Sequence, residues 1–216
     1  MSSVAETAEL VCELCRQFYA LGWVSGTGGG ISIVADGGIV MAPSGVQKER
    51  IRPQDVFVLD AASLDECRVL QAPEDPALRV SECQPLFYAA FRERSAGAVL
   101  HSHSLWPVLA ARIAVAGNRG GQLRLRGYEM LKGLRGKGCF DEVRIPIIPN
   151  TARESELTES MTLAIREHPD VDAVIVAGHG MYVWGRTWIE AKTQAECLDW
   201  LAHAVVESKR LGLEQE

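Results

Sequence analysis

Apolar residues first recur at helical spacing. Leu10, Val11, Leu14, Phe18 and Leu21 share one stripe of a helix predicted over 7–21, and Gly22 supplies its stop. The pattern then changes. Ser25-Gly26-Thr27-Gly28-Gly29-Gly30 runs into Ile31-Ser32-Ile33-Val34, which alternates as a strand does. Asp36-Gly37-Gly38 is a hairpin turn and 39–42 the returning strand. Pro43-Ser44-Gly45 breaks it, and 56–59 reads as a third strand. A two-proline loop at 71–76 precedes a helical pattern from Ser81, marked by Leu86, Phe87, Ala90 and Phe91. Ala98-Val99-Leu100-His101 is a short buried strand. A helix over 106–116, a loop over 117–121 and a short helix over 128–134 follow. Next come a strand over 143–148 closed by Pro149 and a helix over 155–167 with Pro169 beyond it. The strand at 171–177 pairs with 181–184 across Gly178-His179-Gly180, and a long helix over 188–211 ends the chain. Neither a repeat nor a linker interrupts this series. The pattern predicts one α/β domain over 1–216, its core about 7–211.

Composition narrows the partners. The chain has 216 residues, 47% hydrophobic, with a formal net charge of −6. That balance is unsuited to nucleic acid or anionic membranes. No apolar run approaches the ~20 residues of a membrane span. The start carries no basic segment followed by an apolar run, so no signal peptide is expected. Cysteines at 12, 15, 67, 83, 139 and 197 are scattered, which fits free thiols in a reducing, cytoplasmic compartment.

The sharpest local chemistry is His101-Ser102-His103. In extended backbone, residues i and i+2 point to one face, so two imidazoles can converge on one cation. Alone the pair is weak, since polar residues often end strands. His179 adds a third candidate, and its flanking glycines allow close backbone approach. Three His with an open position form a catalytic metal site, and zinc suits imidazole. His168, before Pro169, and His203, on the last helix, read as structural or exposed. Cys12-x-x-Cys15 lies inside a predicted helix and lacks a second pair, so it reads as packing. The glycine run is no dinucleotide fingerprint, because Ile31 stands where a third glycine is required. It is either an anion cradle or a flexible turn.

These motifs together resemble the class II aldolase and adducin superfamily. Ser25–Ser32, Pro43-Ser44-Gly45, His101-x-His103 and Gly178-His179-Gly180 occur in that order over about residues 7–211. Three longer strings resemble its methylthioribulose-1-phosphate dehydratases. They are 22–30 (GWVSGTGGG), 42–51 (APSGVQKERI) and 179–185 (HGMYVWG). The resemblance implies a central, mainly antiparallel sheet flanked by helices, and a homo-oligomer, usually a tetramer. It implies zinc on His101, His103 and His179, with one ion per subunit. Glu129 matches the acid/base residue, and Cys83 a substrate-contacting position that holds a catalytic Glu in the sugar-phosphate aldolases. Gly30 stands where those aldolases carry Asn, a second departure from retro-aldol chemistry. The segment 112–126 is longer than the dehydratase pattern leads one to expect.

The implied reaction is dehydration of 5-methylthioribulose 1-phosphate to a 2,3-diketone in methionine salvage. Candidate phosphate contacts are Gly29, Gly30, Ser44, Gly45 and Ser81. Lys48 either adds charge there or is a solvated lysine beside Glu49 and Arg50. Competing readings are a sugar-phosphate aldolase or 4-epimerase, disfavoured by Cys83, and an adducin-like binding module, disfavoured by the three His and Glu129.

Overall fold

The computed structural model describes residues 2–117 and 121–213. Helix α1 spans Val4–Ala20, three residues earlier than the apolar stripe predicts. The reason is a capping box. The Ser3 hydroxyl accepts from the Glu6 amide at 3.3 Å, and the Glu6 carboxylate accepts from the Ser3 amide at 2.9 Å. Strands β1 (Gly30–Ala35) and β2 (Gly38–Met41) form the expected hairpin, followed by β3 (Phe57–Leu59) and β4 (Val69–Gln71). Helix α2 is Gln84–Arg94, β5 Ala98–Ser102, α3 Leu105–Ala116 and β6 Gln122–Leu125. Strand β7 is Val143–Ile148, α4 Thr158–Glu167, β8 Ala173–Val176, β9 Gly180–Gly185 and α5 Trp188–Arg210.

Among the described residues, nine strands lie in one sheet, in the order β4-β3-β2-β1-β5-β9-β8-β7-β6. Only β7 and β8 pair in parallel; every other neighbouring pair is antiparallel. The mainly antiparallel α/β architecture therefore stands as expected. Strands β4 and β6 were not legible in the pattern. Each is an outermost strand, and β4 is exposed throughout, so neither needs a two-sided apolar run. The helix predicted at 128–134 is a 3-10 turn, Glu129–Gly133. The one predicted at 155–167 opens as a 3-10 turn, Glu154–Leu157, before α4. The loop expected at 117–121 falls largely on 118–120, outside the described residues.

Both faces of the sheet are covered. Ala98 and Leu100 of β5 face the layer with α1, α3 and α5, whereas Val99 faces that with α2 and α4. His101 has the parity of Val99, so it turns toward the α2/α4 side at the end of β5. A buried ion network braces the neighbouring strands. Asp172, just before β8, accepts from Arg135 and Arg94 and from the Trp184 indole. Burial opposes its ionisation, but the two guanidiniums hold its carboxyl below the usual range.

Candidate metal centre

The end of β5 sits between β1 and β9, so His101 is fully buried. Its ring stacks on Tyr182 with centroids 3.9 Å apart. His103 lies one residue past β5, and its backbone amide donates to Trp23 O at 2.7 Å. His179 occupies the β8–β9 turn, where Gly178 has φ +73°. Gly180 explains the close approach anticipated from sequence. A Cβ there would lie 2.0 Å from the Ser102 carbonyl oxygen, so β9 can meet β5 only with glycine at this point.

The three Nε2 atoms form a triangle. His101 to His103 is 2.8 Å, His103 to His179 is 3.1 Å and His101 to His179 is 3.3 Å. Two nitrogens bound tetrahedrally to one zinc-sized ion at ~2.0–2.1 Å would stand about 3.4 Å apart. The tautomers also fit. His101 Nδ1 donates to Met181 O at 3.1 Å, and His179 Nδ1 donates to Asn150 Oδ1 at 3.1 Å. Both Nε2 atoms therefore carry bare lone pairs that face each other, an arrangement a cation satisfies. Burial first and then His103 push His101 down to about 3; burial and His179 push His103 down to about 4. Both imidazoles are neutral near pH 7, as ligation requires.

A fourth donor joins them. Glu154 Oε1 lies 3.4 Å from His179 Nε2 and 3.8 Å from His101 Nε2. With the three His it makes a set whose donor atoms all fall within 4.8 Å. Its Oε2 accepts from the Tyr182 hydroxyl at 3.3 Å. Burial would raise this carboxyl, but contacts with His179, His101 and Cys83 outweigh it and hold it at about 2. The buried Cys83 thiol lies beside Glu154 and Tyr182. Burial and then the Glu154 charge push it far up, so it stays protonated. His103, Glu154, His179, Asn150 and Arg153 line an open cavity of about 460 Å³, large enough for a sugar phosphate.

The sequence matches the Class II Aldolase and Adducin N-terminal domain over residues 9–206. The chain belongs to the class II aldolase and adducin family. Its relatives include the methylthioribulose-1-phosphate dehydratase of Uncinocarpus reesii, 48% identical over 95% of this chain and 88% of that protein. A probable bifunctional methylthioribulose-1-phosphate dehydratase/enolase-phosphatase E1 of Physcomitrium patens is 46% identical over 99% of this chain. This chain spans only 43% of that relative's length, and similarly less than half of its plant counterparts. Solved class II aldolases share the fold. L-fuculose-1-phosphate aldolase from Thermus thermophilus superposes with a TM-score of 0.69 at 22% identity, over 99% of this chain and 98% of that one. An L-fuculose 1-phosphate aldolase gives 0.76 at 17% identity, over 96% and 88%.

Within this family frame the glycine-rich loop touches the histidines directly. A Cβ on Gly28 would meet His103 Cε1 at 2.3 Å, and one on Gly29 would meet His101 O at 2.8 Å. The loop therefore forms a wall of the site and is not a free turn. Gly29 and Gly45 both have positive φ. The Ser44 amide donates to Arg79 O at 2.9 Å, and the Ser81 hydroxyl accepts from the Cys83 amide at 3.2 Å. Lys48 is not solvated: only 2% of it is exposed. Glu129 stands apart from the cluster. Its side chain is 74% exposed, pairs with Lys132 at 2.6 Å and is not among the residues lining the cavity. Glu154, Tyr182 and Asn150 escaped sequence reasoning. For Glu154 the available signal was a carboxylate at the start of a helical pattern, a few residues after the strand closed by Pro149.

Proposed function

We propose that this protein is a zinc-dependent hydro-lyase. It converts 5-methylthioribulose 1-phosphate to 2,3-diketo-5-methylthiopentyl 1-phosphate and water, within methionine salvage in the cytoplasm. The observation that carries this reading is the near full-length, 48% identical dehydratase of Uncinocarpus reesii. The histidine cluster supports it. We read the whole chain as one domain, with one ion per subunit held by His101, His103 and His179. When bound, that ion would supply Lewis-acid stabilisation of the negative charge that develops as the C3 proton is removed.

The chain's own groups handle the protons. A carboxylate takes the C3 proton, an acid returns one to the C4 hydroxyl, which leaves as water, and the resulting enol loses its O–H proton as C4 gains one to give the diketone. Glu129 is the acid/base residue in this reading. Its exposure in one protomer fits delivery to the site of a second copy, in a homo-oligomer such as a tetramer. Tyr128 beside it packs edge-on against Trp200, which is itself 47% exposed and suited to burial under a partner. Glu154 is a second carboxylate at the imidazoles, either a fourth ligand or a proton carrier there. Cys83, a neutral thiol, shapes the pocket. Gly29, Gly30, Ser44, Gly45 and Ser81 receive the phosphate.

Cys83 disfavours the aldolase alternative, because a protonated thiol is a poor base where a carboxylate is needed. Incubation of the purified protein with methylthioribulose phosphate tests the assignment. Diketone should form, stop on chelation and resume on adding zinc. No diketone from metal-loaded protein would refute it.

A further inference from the structure

Lys48 opens the 3-10 turn Lys48–Arg50, directly after the Ser44–Val46 stretch. Its neighbours Glu49 and Arg50 suggest a charged surface, yet it is among the most buried side chains of the protein. Burying an ammonium costs several kcal/mol unless its protons find partners. Here the partners are two backbone carbonyls on two different loops. Nζ donates to Thr27 O at 2.9 Å, in the glycine-rich loop, and to Val46 O at 3.3 Å. The stem runs past Gly30, where a Cβ would sit 3.5 Å from Lys48 Cε.

Positions that only glycine adopts easily occur in both loops, three in or beside the glycine-rich one and one in the other. Gly26, Gly29, Gly30 and Gly45 have φ between +66° and +151°. Such backbone loses the most entropy on ordering, so an untied loop would bind a ligand at a penalty. The bonds to Lys48 fix two peptide planes. In a trans peptide the C=O and N–H point opposite ways, so the amides of Gly28 and Gln47 are turned away from the ammonium. Gly28 is also the residue packed on the His103 ring. One side chain thus ties the wall of the histidine cluster to the Ser44–Val46 loop.

We infer that Lys48 is a positioning residue that locks the glycine-rich loop to the Ser44–Val46 loop, so that a phosphate group meets a preformed backbone cradle without touching the lysine itself. The inference rests on the reading that these loops receive the substrate's phosphate. Lys48→Met keeps the stem and removes the donors. In metal-loaded enzyme we expect KM, and the inhibition constant of inorganic phosphate, to rise about tenfold or more while kcat falls less. In ligand-free protein, amide hydrogen exchange should speed up over 26–30 and 44–47 and stay unchanged in β8 and β9. Lys48→Arg retains charge and donors but not the length, and should fall between.

Raised KM with unchanged exchange in the ligand-free variant would overturn positioning and make Lys48 a direct ligand contact. Unchanged KM, phosphate inhibition and exchange would leave it a packing residue only. If Lys48→Met does not fold, Lys48→Arg decides: wild-type KM together with wild-type exchange overturns the inference. If phosphate does not inhibit the wild type, the cradle reading fails, while the exchange comparison still tests the tie.

Discussion

Gly180 is where strand packing and metal geometry meet, so Gly180→Ala is an informative perturbation. The added Cβ would sit 2.0 Å from Ser102 O and 3.2 Å from His103 Cα. Real Cβ atoms essentially never approach backbone oxygen below 3.0 Å, so β9 must move from β5 by about 1 Å or more. Metal sites tolerate donor displacements of roughly 0.2 Å. His101 and His103 ride on β5 and its end, and His179 on the turn into β9. The same movement therefore opens the Nε2 triangle, whose His101–His179 edge is 3.3 Å. Overpacking of this kind costs about 1–3 kcal/mol of stability, which a folded domain survives. We expect a folded variant, somewhat less heat-stable, whose zinc affinity falls by a hundredfold or more, measured by chelator competition. Gly178→Ala is the control. It has φ +73° but no atom within 4 Å of its Cβ, so it should lose about 1 kcal/mol to backbone strain and keep most of its affinity. A Gly180→Ala protein that binds zinc as wild type would refute the claim that this backbone contact sets the site.

Other expectations follow from the same geometry. Glu154→Gln should weaken zinc binding about 10–100-fold if the carboxylate supports the ion; unchanged affinity would leave it a proton-handling role alone. Asp172→Asn should destabilise the fold by about 2–4 kcal/mol in urea unfolding, below the ~3–5 of a fully buried pair because Arg135 is 42% exposed. Because the folded Asp172 carboxyl lies below its ordinary 3.8, its contribution is present above about pH 4 and lost as pH falls through the folded value. Asp172→Asn should lack that acid-side loss, and an unchanged acid limb would count against the network. Glu129→Gln should reduce turnover ~10²–10⁴-fold with metal retained, and Cys83→Ala should do less damage; the reverse order would reassign the proton chemistry.

What the sequence could and could not reveal divides along physical lines. The histidine pair was legible because strand alternation puts His101 and His103 on one side, and His179 because glycines flank it. Lys48 was not. Its burial depends on Thr27, 21 residues earlier, and a K-E-R run looks like any solvated turn. Glu154 lies in a polar stretch after β7, and only the packing of its 3-10 turn and α4 against α2, on the His101 face of the sheet, brings it to the imidazoles. The outermost strands β4 and β6 lacked the two-sided burial that makes strands readable, and Ser3 extended α1 by capping rather than by hydrophobicity. Glu129 carries no local signal of chemistry in the sequence beyond the family resemblance, because a carboxylate three residues before Lys132 reads as an ordinary exposed ion pair.

The most direct test of the central claim is the identity of the product when metal-loaded enzyme acts on methylthioribulose phosphate in heavy water. Dehydration with ketonisation gives a diketone phosphate one water lighter than the substrate, carrying a single solvent deuterium at C4. A three-carbon ketose phosphate and a free aldehyde, the fragments of C3–C4 cleavage, would contradict it and make the protein an aldolase.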